Sequence, residues 1–154
     1  MAEENDFQKS LIKTVRDFVK KEVLPVASVL ELADEYPEYL VEQMKQLGFF
    51  GATIDEEYGG SAMGTESYAL LVEELAKGWM SLTGVLNTHL LVANMIQTSG
   101  TEEQKQRFLP YMATGDRRAA LCITEPEAGT DVAAIQTTAI LDGDDYVLNG
   151  RKMY

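Results

Sequence analysis

The sequence predicts a mainly α protein, in which an N-terminal helix bundle is followed by the first strands of an incomplete β domain. Three observations support this prediction. Apolar residues recur at three- and four-residue intervals up to about Thr114, which is typical of amphipathic helices. Beyond that point the apolar period shortens to two, as in strands. The chain ends four residues after the hairpin signal Asn149-Gly150. We therefore expect a helical domain over residues 1–115 and the truncated start of a β domain over residues 116–154.

Six helices are expected in the helical domain, most of them opened by a capping residue or a proline. Their first residues are Asp6, Pro25, Pro37, Thr65, Ser81 and Thr101. Gly48, Gly78 and Gly115 are typical helix stops. The Ser81–Thr98 helix is almost wholly apolar, so we expect it to form the buried centre of the bundle. Phe49–Met63 is expected to be a loop, because paired glycines interrupt any regular pattern there.

The β part is expected to contain three strands and to stop in the middle of a hairpin. Ala119–Thr124 has the composition of a buried strand, and Thr137–Leu141 and Tyr146–Leu148 flank a turn of aspartates and glycine. Asn149-Gly150 predicts a further hairpin turn after them. Such a sheet leaves an unpaired edge. We expect the region after Thr137 to be disordered or to pair with another copy of the chain.

Composition narrows the possible functions. The formal net charge is −12, which argues against binding nucleic acid or an anionic membrane through a basic surface. No window approaches eighteen consecutive apolar residues, and the first five residues are acidic where a signal peptide is basic. One cysteine and one histidine cannot build a zinc cage or an intrachain disulfide. We therefore expect a soluble cytoplasmic protein without a structural metal.

One stretch, Leu121–Asp131, has unusual chemistry. A strand would deliver Thr124, Pro126 would end its ladder, and Gly129 would allow a tight turn. Free backbone N–H groups beside the hydroxyls of Thr124 and Thr130 can hold an anion or the edge of a heterocycle. Taken alone, these residues fit an ordinary proline and glycine loop better than a binding site.

The sequences of four segments nevertheless resemble motifs of the acyl-CoA dehydrogenase family. Thr124-Glu-Pro-Glu-Ala-Gly-Thr-Asp131 and Asp145-Tyr-Val-Leu-Asn-Gly-Arg-Lys-Met153, followed by an aromatic residue, resemble the signature of its middle β domain. Glu57-Tyr-Gly-Gly60 resembles a loop between its N-terminal helices. Gly100-Thr-Glu-Glu-Gln-Lys-Gln-Arg-Phe-Leu-Pro110 resembles its last N-terminal helix. The resemblance covers essentially the whole chain.

The resemblance implies a cofactor, a substrate and partners. Members of this family bind FAD and oxidise the Cα–Cβ bond of an acyl-CoA to a trans-enoyl-CoA. They usually pass electrons to an electron-transfer flavoprotein, and the full-length protein is expected to be a homo-oligomer, either a tetramer or a dimer. The family's catalytic base is a glutamate of a C-terminal helical domain, so no catalytic residue is expected in this chain. The Ser81–Thr98 helix is expected to line part of the acyl pocket.

The resemblance also assigns individual positions. Leu121, Ile123 and Thr124 are expected along the flavin ring, mainly through backbone groups. Gly129 and Thr130 are expected near the flavin pyrophosphate, with Thr130 also touching the acyl-CoA. Tyr154 stands where the family usually has tryptophan, at the start of a segment that touches the flavin. Thr130 replaces a commoner serine and keeps the hydroxyl.

Other reactive side chains are expected to be structural. Glu125 and Glu127 form a carboxylate pair on a turn, and we expect Glu125 to be structural or solvated. His89 is expected to be a satisfied core histidine, with a place near the acyl channel as the alternative. Cys122 is expected to be a buried, inert thiol. The turn aspartates Asp142, Asp144 and Asp145 lack calcium-binding spacing.

Alternative functions remain open from the residues alone. An acyl-CoA oxidase or a flavin monooxygenase of the same superfamily would share these motifs. A non-catalytic helical interaction module is a third possibility, although the unfinished hairpin argues against it. The chain by itself is expected to be inactive and to hold no stoichiometric FAD.

Overall fold

A computed structural model of the chain describes residues 5–154. The chain forms two compact units, the first ending at Ala119 and the second spanning Ala120–Tyr154. The first is helical, and the second contains a two-stranded antiparallel sheet. The predicted fold class, mainly α with the first strands of a β domain, is confirmed.

Six α-helices lie within residues 5–154. They are α1 (Asp6–Phe18), α2 (Ala27–Ala33), α3 (Glu38–Gln46), α4 (Thr65–Ala76), α5 (Met80–Ser99) and α6 (Glu102–Ala113). A π-helical turn, Val19–Val23, continues α1. The cap of α1 differs from the prediction: Asn5, not Asp6, accepts the bond from the Gln8 amide at 2.8 Å. The Gln8 side chain accepts from the Asn5 amide in return, so Asn5 and Gln8 complete a capping box that begins one residue earlier.

The core of the helical unit joins α1, α3, α4, α5 and α6 with the loop after α3. Its fully buried side chains include Val15, Phe50, Leu71, Leu75, Leu82, Leu86 and Leu109. Glu74 of α4 adds a polar link to α1, since it accepts two hydrogen bonds from Arg16 at 2.8 Å each. Burial of these aliphatic and aromatic side chains is the main stabilising contribution in this unit.

The long helix α5 is buried on one face, not on all sides as predicted. Leu82, Leu86 and Ala93 have no exposed surface, whereas Leu91 and Met95 are 48% and 50% exposed. The buried residues of α5 lie on one face of the helix. Among the described residues, nothing covers the opposite face.

The predicted loop Phe49–Met63 is ordered by short 3₁₀ turns at Phe49–Gly51 and Glu56–Tyr58. Ile54 is fully buried, and its carbonyl accepts the Ala62 amide at 2.9 Å. At Gly60 a Cβ atom would lie 1.9 Å from the Ile54 carbonyl oxygen, so a side chain cannot fit there. This loop is therefore part of the packed unit.

The second unit contains a hairpin of β1 (Thr138–Asp142) and β2 (Asp145–Asn149), within a residue of the predicted strands. Ala139 faces Leu148 in its register, and Gly143 makes the turn with φ of 64°.

One strand prediction and one hairpin prediction are wrong in the described residues. Residues 119–124 are irregular rather than a strand, and residues 150–154 form no strand after Asn149-Gly150. A strand requires a ladder of backbone bonds. Among the described residues a single backbone hydrogen bond joins these two segments, from the Met153 amide to the Thr124 carbonyl.

No helix in residues 5–154 is long and apolar enough to cross a membrane.

Candidate functional site

The stretch that sequence analysis singled out folds into a tight turn in the second unit. The Glu125 amide donates to the Ala128 carbonyl at 2.9 Å, and the Ala128 amide donates back to the Glu125 carbonyl at 3.2 Å. Pro126 and Glu127 form the exposed tip, and proline suits the first position of such a turn because its φ is fixed. Ala128 is buried, and the chain then emerges at Gly129.

The Glu125 carboxylate is the anchor of this turn. The residue is only 6% exposed. Its two oxygens accept the Gln136 amide at 2.8 Å and the Thr137 amide at 3.0 Å, and the Lys152 ammonium lies 2.9 Å away. The neighbouring Thr137 side chain, the Gln136 amide and the Lys152 ammonium together lower the pKa of Glu125 to about 2. A carboxylate held ionised in this way is a structural anchor and is unsuited to proton transfer near neutral pH.

Lys152 brings the end of the chain alongside the predicted flavin residues. Its ammonium also donates to the Ile123 carbonyl at 2.9 Å, and the next amide, Met153, donates to the Thr124 carbonyl at 2.9 Å. Ile123 and Thr124 are therefore held against Lys152 and Met153, and the next residue, Tyr154, is fully exposed. Lys152 is not among the site residues predicted from the sequence, although it lies in the Asn149-Gly-Arg-Lys-Met153 segment that resembles the family.

The remaining predicted flavin residues lie on open surface. Gly129 and Thr130 are exposed, and a Cβ added at Gly129 would meet no atom within 4 Å. A ligand can thus approach the backbone closely there, as a pyrophosphate group requires. Leu121 is half-buried. The prediction for Cys122 is wrong: the thiol is exposed, because its segment forms no strand whose second face could be covered.

Glu125 and His89 both have the structural character that the sequence indicated. His89 is fully buried on α5, and its Nε2 lies 3.1 Å from the Met112 carbonyl oxygen. The Ala119 amide donates to its Nδ1 at 3.3 Å, which fixes the neutral tautomer with the proton on Nε2. Burial lowers the pKa of His89 and keeps it neutral.

Within residues 5–154, no group of three or more histidine, cysteine or acidic side chains is placed to hold a metal ion.

A groove of about 760 Å³ opens in the helical unit against the uncovered face of α5. Its walls come from the Phe49–Met63 loop and the start of α4. The residues lining it are Thr53, Asp55, Met63, Thr65, Tyr68, Asn87, Thr88, Leu90, Leu91, Asn94 and Gln97. Leucine side chains lie there among hydroxyl and amide groups.

Hydrogen bonds join several residues that line the groove. Gln97 accepts the Asp55 amide at 2.7 Å and donates to the Thr53 carbonyl at 3.2 Å. The Tyr68 hydroxyl donates to the Asn87 side-chain oxygen. The groove itself is open to solvent.

Comparison with known proteins identifies the family. The sequence model of the family described as acyl-CoA dehydrogenase, N-terminal domain, matches residues 5–116. This range is well over half of the chain, so the chain belongs to the acyl-CoA dehydrogenase family. The resemblance seen in the sequence is confirmed.

Similar proteins agree with this assignment. The short-chain specific acyl-CoA dehydrogenase of Clostridium acetobutylicum is 40% identical over 148 residues, which cover 96% of this chain and 39% of that protein. The butyryl-CoA dehydrogenase structure from Megasphaera elsdenii has a TM-score of 0.93 and 36% identity, covering all of this chain and 42% of its own.

An acyl-CoA dehydrogenase from Bacillus anthracis, whose structure is a complex with FAD, has a TM-score of 0.87 at 35% identity and covers 97% of this chain and 26% of its own. This chain therefore spans about two fifths or less of the length of these three proteins.

Proposed function

We propose that this chain serves, as part of a longer enzyme, in the FAD-dependent α,β-dehydrogenation of an acyl-CoA thioester to a trans-2-enoyl-CoA. The observation that carries the proposal is the pairing of residues 123–124 with residues 152–153, which supports a site at Ile123 and Thr124, two of the residues that the family motif assigns to the flavin. Family membership and the similar dehydrogenases support the reaction class. FAD would supply the acceptor for the hydride that leaves the substrate.

The second unit would hold FAD mainly through backbone groups. Leu121, Ile123 and Thr124 would lie along the flavin ring, since the Glu125 anchor fixes the backbone beside them. Gly129 would admit the pyrophosphate to the main chain, and the Thr130 hydroxyl would donate to a phosphate oxygen. Tyr154 would cover the flavin with its aromatic face.

The helical unit would hold the substrate's acyl chain in the groove on α5. Leu90 and Leu91 give that groove an apolar floor, and burial of methylene groups against it favours binding. Thr130 would also contact the acyl-CoA. No residue of this chain is proposed to transfer a proton in the reaction. Its residues bind and orient the reactants, and the base belongs to another part of the enzyme.

The partners follow from the same proposal. We assign an acyl-CoA as substrate and an electron-transfer flavoprotein as electron acceptor, on the family resemblance. The full-length enzyme would be a tetramer or dimer in the cytoplasm, with a helical domain over residues 1–115 and the middle β domain starting at 116. The 154-residue chain alone would be inactive and would not retain stoichiometric FAD.

The decisive experiment adds saturated acyl-CoA thioesters of different chain types to the flavin-loaded full-length protein. We expect bleaching of the visible flavin absorbance and formation of the 2,3-enoyl product. If no straight, branched or aromatic acyl-CoA bleaches the flavin, the chain is better explained as an interaction module. Hydrogen peroxide formed in step with product would instead identify an oxidase.

Thr130→Val tests the proposed site within that enzyme. Valine keeps the shape of threonine but lacks the hydroxyl, and a hydrogen bond to a charged group contributes about 1.5–3 kcal/mol. We expect weaker flavin retention or a higher Michaelis constant, with an unchanged unfolding midpoint. Thr14→Val removes an exposed hydroxyl on α1 and is the matched control. Equal behaviour of the two variants would place Thr130 outside the site.

A further inference from the structure

Lys152 holds the main chain of residues that we assign to the flavin. Its ammonium donates to the Ile123 carbonyl and to the Glu125 carboxylate, at 2.9 Å each. The Lys152 side chain is 28% exposed and the Glu125 side chain 6%, so both bonds are partly withdrawn from water, where a hydrogen bond is electrostatically stronger. A full positive charge therefore fixes the position of the Ile123 carbonyl.

Fixing that carbonyl also fixes the amide of the next residue. The peptide group between Ile123 and Thr124 is planar and trans, so its C=O and its N–H point in opposite directions. Because the ammonium lies on the carbonyl side, the Thr124 N–H points away from Lys152. Among residues 5–154 this amide donates to no backbone carbonyl. It is therefore a free donor for an acceptor atom at the edge of a flavin.

The same peptide group can transmit the charge of Lys152 to a bound flavin. A cation at the C=O makes the N–H a stronger donor, because hydrogen bonds in a chain polarise one another. Hydride transfer brings negative charge to the flavin ring, and a donor aimed at developing charge stabilises the reduced form more than the oxidised form. The peptide group thus connects the ammonium to the electronic state of the cofactor.

The Glu125 carboxylate opposes this effect only in part. Its oxygens also accept the Gln136 and Thr137 amides, at 2.8 Å and 3.0 Å, and these donors take up part of its negative charge. The ammonium, in contrast, is in direct contact with the Ile123 carbonyl. The positive charge therefore has the shorter path to the Thr124 amide.

We propose that Lys152 is a positioning residue of the flavin site, which orients the Ile123–Thr124 peptide group towards the flavin and raises the flavin's reduction potential through it. The proposal rests on the proposed function, because it requires FAD in the site that we assign to it. It adds a residue that acts through the main chain, without touching FAD or the acyl-CoA.

The test measures the midpoint reduction potential of the flavin in the full-length protein, with a chemical reductant and a reference dye, so that no acyl-CoA is needed. Lys152→Gln keeps a side-chain N–H donor but removes the charge, and Lys152→Arg keeps both. We expect a more negative potential in Lys152→Gln, with the affinity for reduced FAD relative to oxidised FAD lower by about tenfold, because charge-assisted hydrogen bonds are roughly twice as strong as neutral ones. Lys152→Arg should stay close to the wild type.

A second measurement tests the positioning role, by titration of the full-length apoprotein with FAD. Lys152→Met keeps the length of the side chain and removes both donor and charge. It should weaken FAD binding more than Lys152→Gln does, because nothing then holds the Ile123 carbonyl. FAD binding as tight as in the wild type would show that Lys152 does not position this peptide group.

Arg151→Gln is the matched control for charge. Arg151 is the adjacent cation and is exposed, and its substitution removes the same charge while the bond from Lys152 to Ile123 stays in place. Its potential should equal that of the wild type. An equal shift in Arg151→Gln and Lys152→Gln would overturn the inference, because the effect would then come from net charge alone.

The remaining outcomes separate the inference from the function beneath it. A wild-type potential in Lys152→Gln would overturn the inference. Loss of FAD from Lys152→Gln and Lys152→Arg alike would make the lysine purely structural and overturn it too. A wild-type flavin that no acyl-CoA reduces would overturn the proposed dehydrogenation and leave the comparison of potentials valid. A full-length wild type that binds no FAD would overturn both.

Discussion

The two units of this chain are stabilised in different ways. In the helical unit, side chains such as Leu71 and Leu86 have no exposed surface, and they belong to one continuous apolar cluster. In the second unit the strand residues are exposed, with Ile140 at 60% and Leu148 at 71%. There the most connected group is a carboxylate, Glu125, which ties together three separate segments.

This difference separates folding from ligand binding. The helical unit gains stability from apolar area, and a large area tolerates small losses at single positions. The second unit concentrates its tertiary bonds on one charged side chain, next to the residues that we assign to the flavin. Removal of that carboxylate should therefore loosen the residues that we assign to the flavin without lowering the stability of the helices.

The largest expected effect is on the core of the helical unit. Leu86→Ala should lower the free energy of unfolding by about 2–5 kcal/mol, because it removes a fully buried side chain and leaves a cavity. Ile140→Ala, at an exposed strand position, should change it by less than about 0.5 kcal/mol. Urea denaturation followed by the fluorescence of Trp79, the single tryptophan, measures the helical unit. Similar losses for both variants would contradict the contrast between the units.

The second prediction concerns the Glu125 anchor. Glu125→Gln keeps the shape but removes the charge that faces Lys152 and two backbone amides. We expect faster hydrogen exchange at the amides of Gln136 and Thr137, with an unchanged Trp79 transition. Glu127→Gln, at the exposed tip of the same turn, is the matched control and should leave the exchange rates unchanged. If the helical unit also unfolds earlier in Glu125→Gln, the anchor is not local.

The same carboxylate gives a pH dependence with a defined sign. The pKa of Glu125 is about 2 in the folded state, below its ordinary value of 4.5. Ionised Glu125 therefore stabilises the folded second unit above pH 4.5, and this contribution is lost as the pH falls from 4.5 towards 2. Exchange at Gln136 and Thr137 should show this transition in the wild type. In Glu125→Gln the transition should be absent, and its persistence would assign it to another group.

The sequence predicted the helices well because their signals are local. Pro37 and Thr101 mark helix starts within a residue or two of the observed ones, and Thr101 forms the predicted capping box. At α1 the cap lies at Asn5 rather than Asp6, since asparagine and aspartate are equally good caps and the choice depends on which side chain reaches the Gln8 amide.

The errors arose where structure depends on distant partners. The composition of Ala119–Thr124 is that of a strand, but a strand needs a neighbour, and local sequence cannot supply one. The exposure of Cys122 is a consequence of that same error. The open face of α5 could not be seen from its apolar composition either, because composition does not tell which faces its neighbours cover. The groove and the Tyr68–Asn87 contact consequently came from the structure alone.

The third prediction tests how α5 and α6 are joined at His89. His89→Leu keeps an apolar body but leaves the Met112 carbonyl and the Ala119 amide without their partner. An unsatisfied buried polar group costs about 1–3 kcal/mol, and the free energy of unfolding should fall by that order. Urea denaturation followed by Trp79 fluorescence measures this loss. A fall of less than about 0.5 kcal/mol would show that water replaces the histidine.

His89 should also give the helical unit a pH dependence that the leucine variant lacks. Burial lowers the pKa of His89 below its ordinary value of 6.5, so the unfolded chain takes up the proton first as the pH falls. The folded state therefore loses stability as the pH drops below about 6.5, and no such loss is due to this group above it. The free energy of unfolding, measured by urea denaturation, should differ less between pH 8 and pH 5 in His89→Leu than in the wild type.

The smallest expected effect is a gain in stability within α5. Gly84 lies in the helix interior, and a Cβ atom added there would meet no atom within 4 Å. Gly84→Ala should therefore raise the free energy of unfolding by about 0.5–1 kcal/mol, because glycine loses more backbone freedom than alanine when the helix forms. Gly64→Ala is the control: the site is equally open, but Gly64 caps α4, where alanine is worse than glycine. Chemical denaturation of both variants should give opposite signs. A gain in both would mean that the loss of any glycine stabilises this unit, and that the helical position of Gly84 has no special effect.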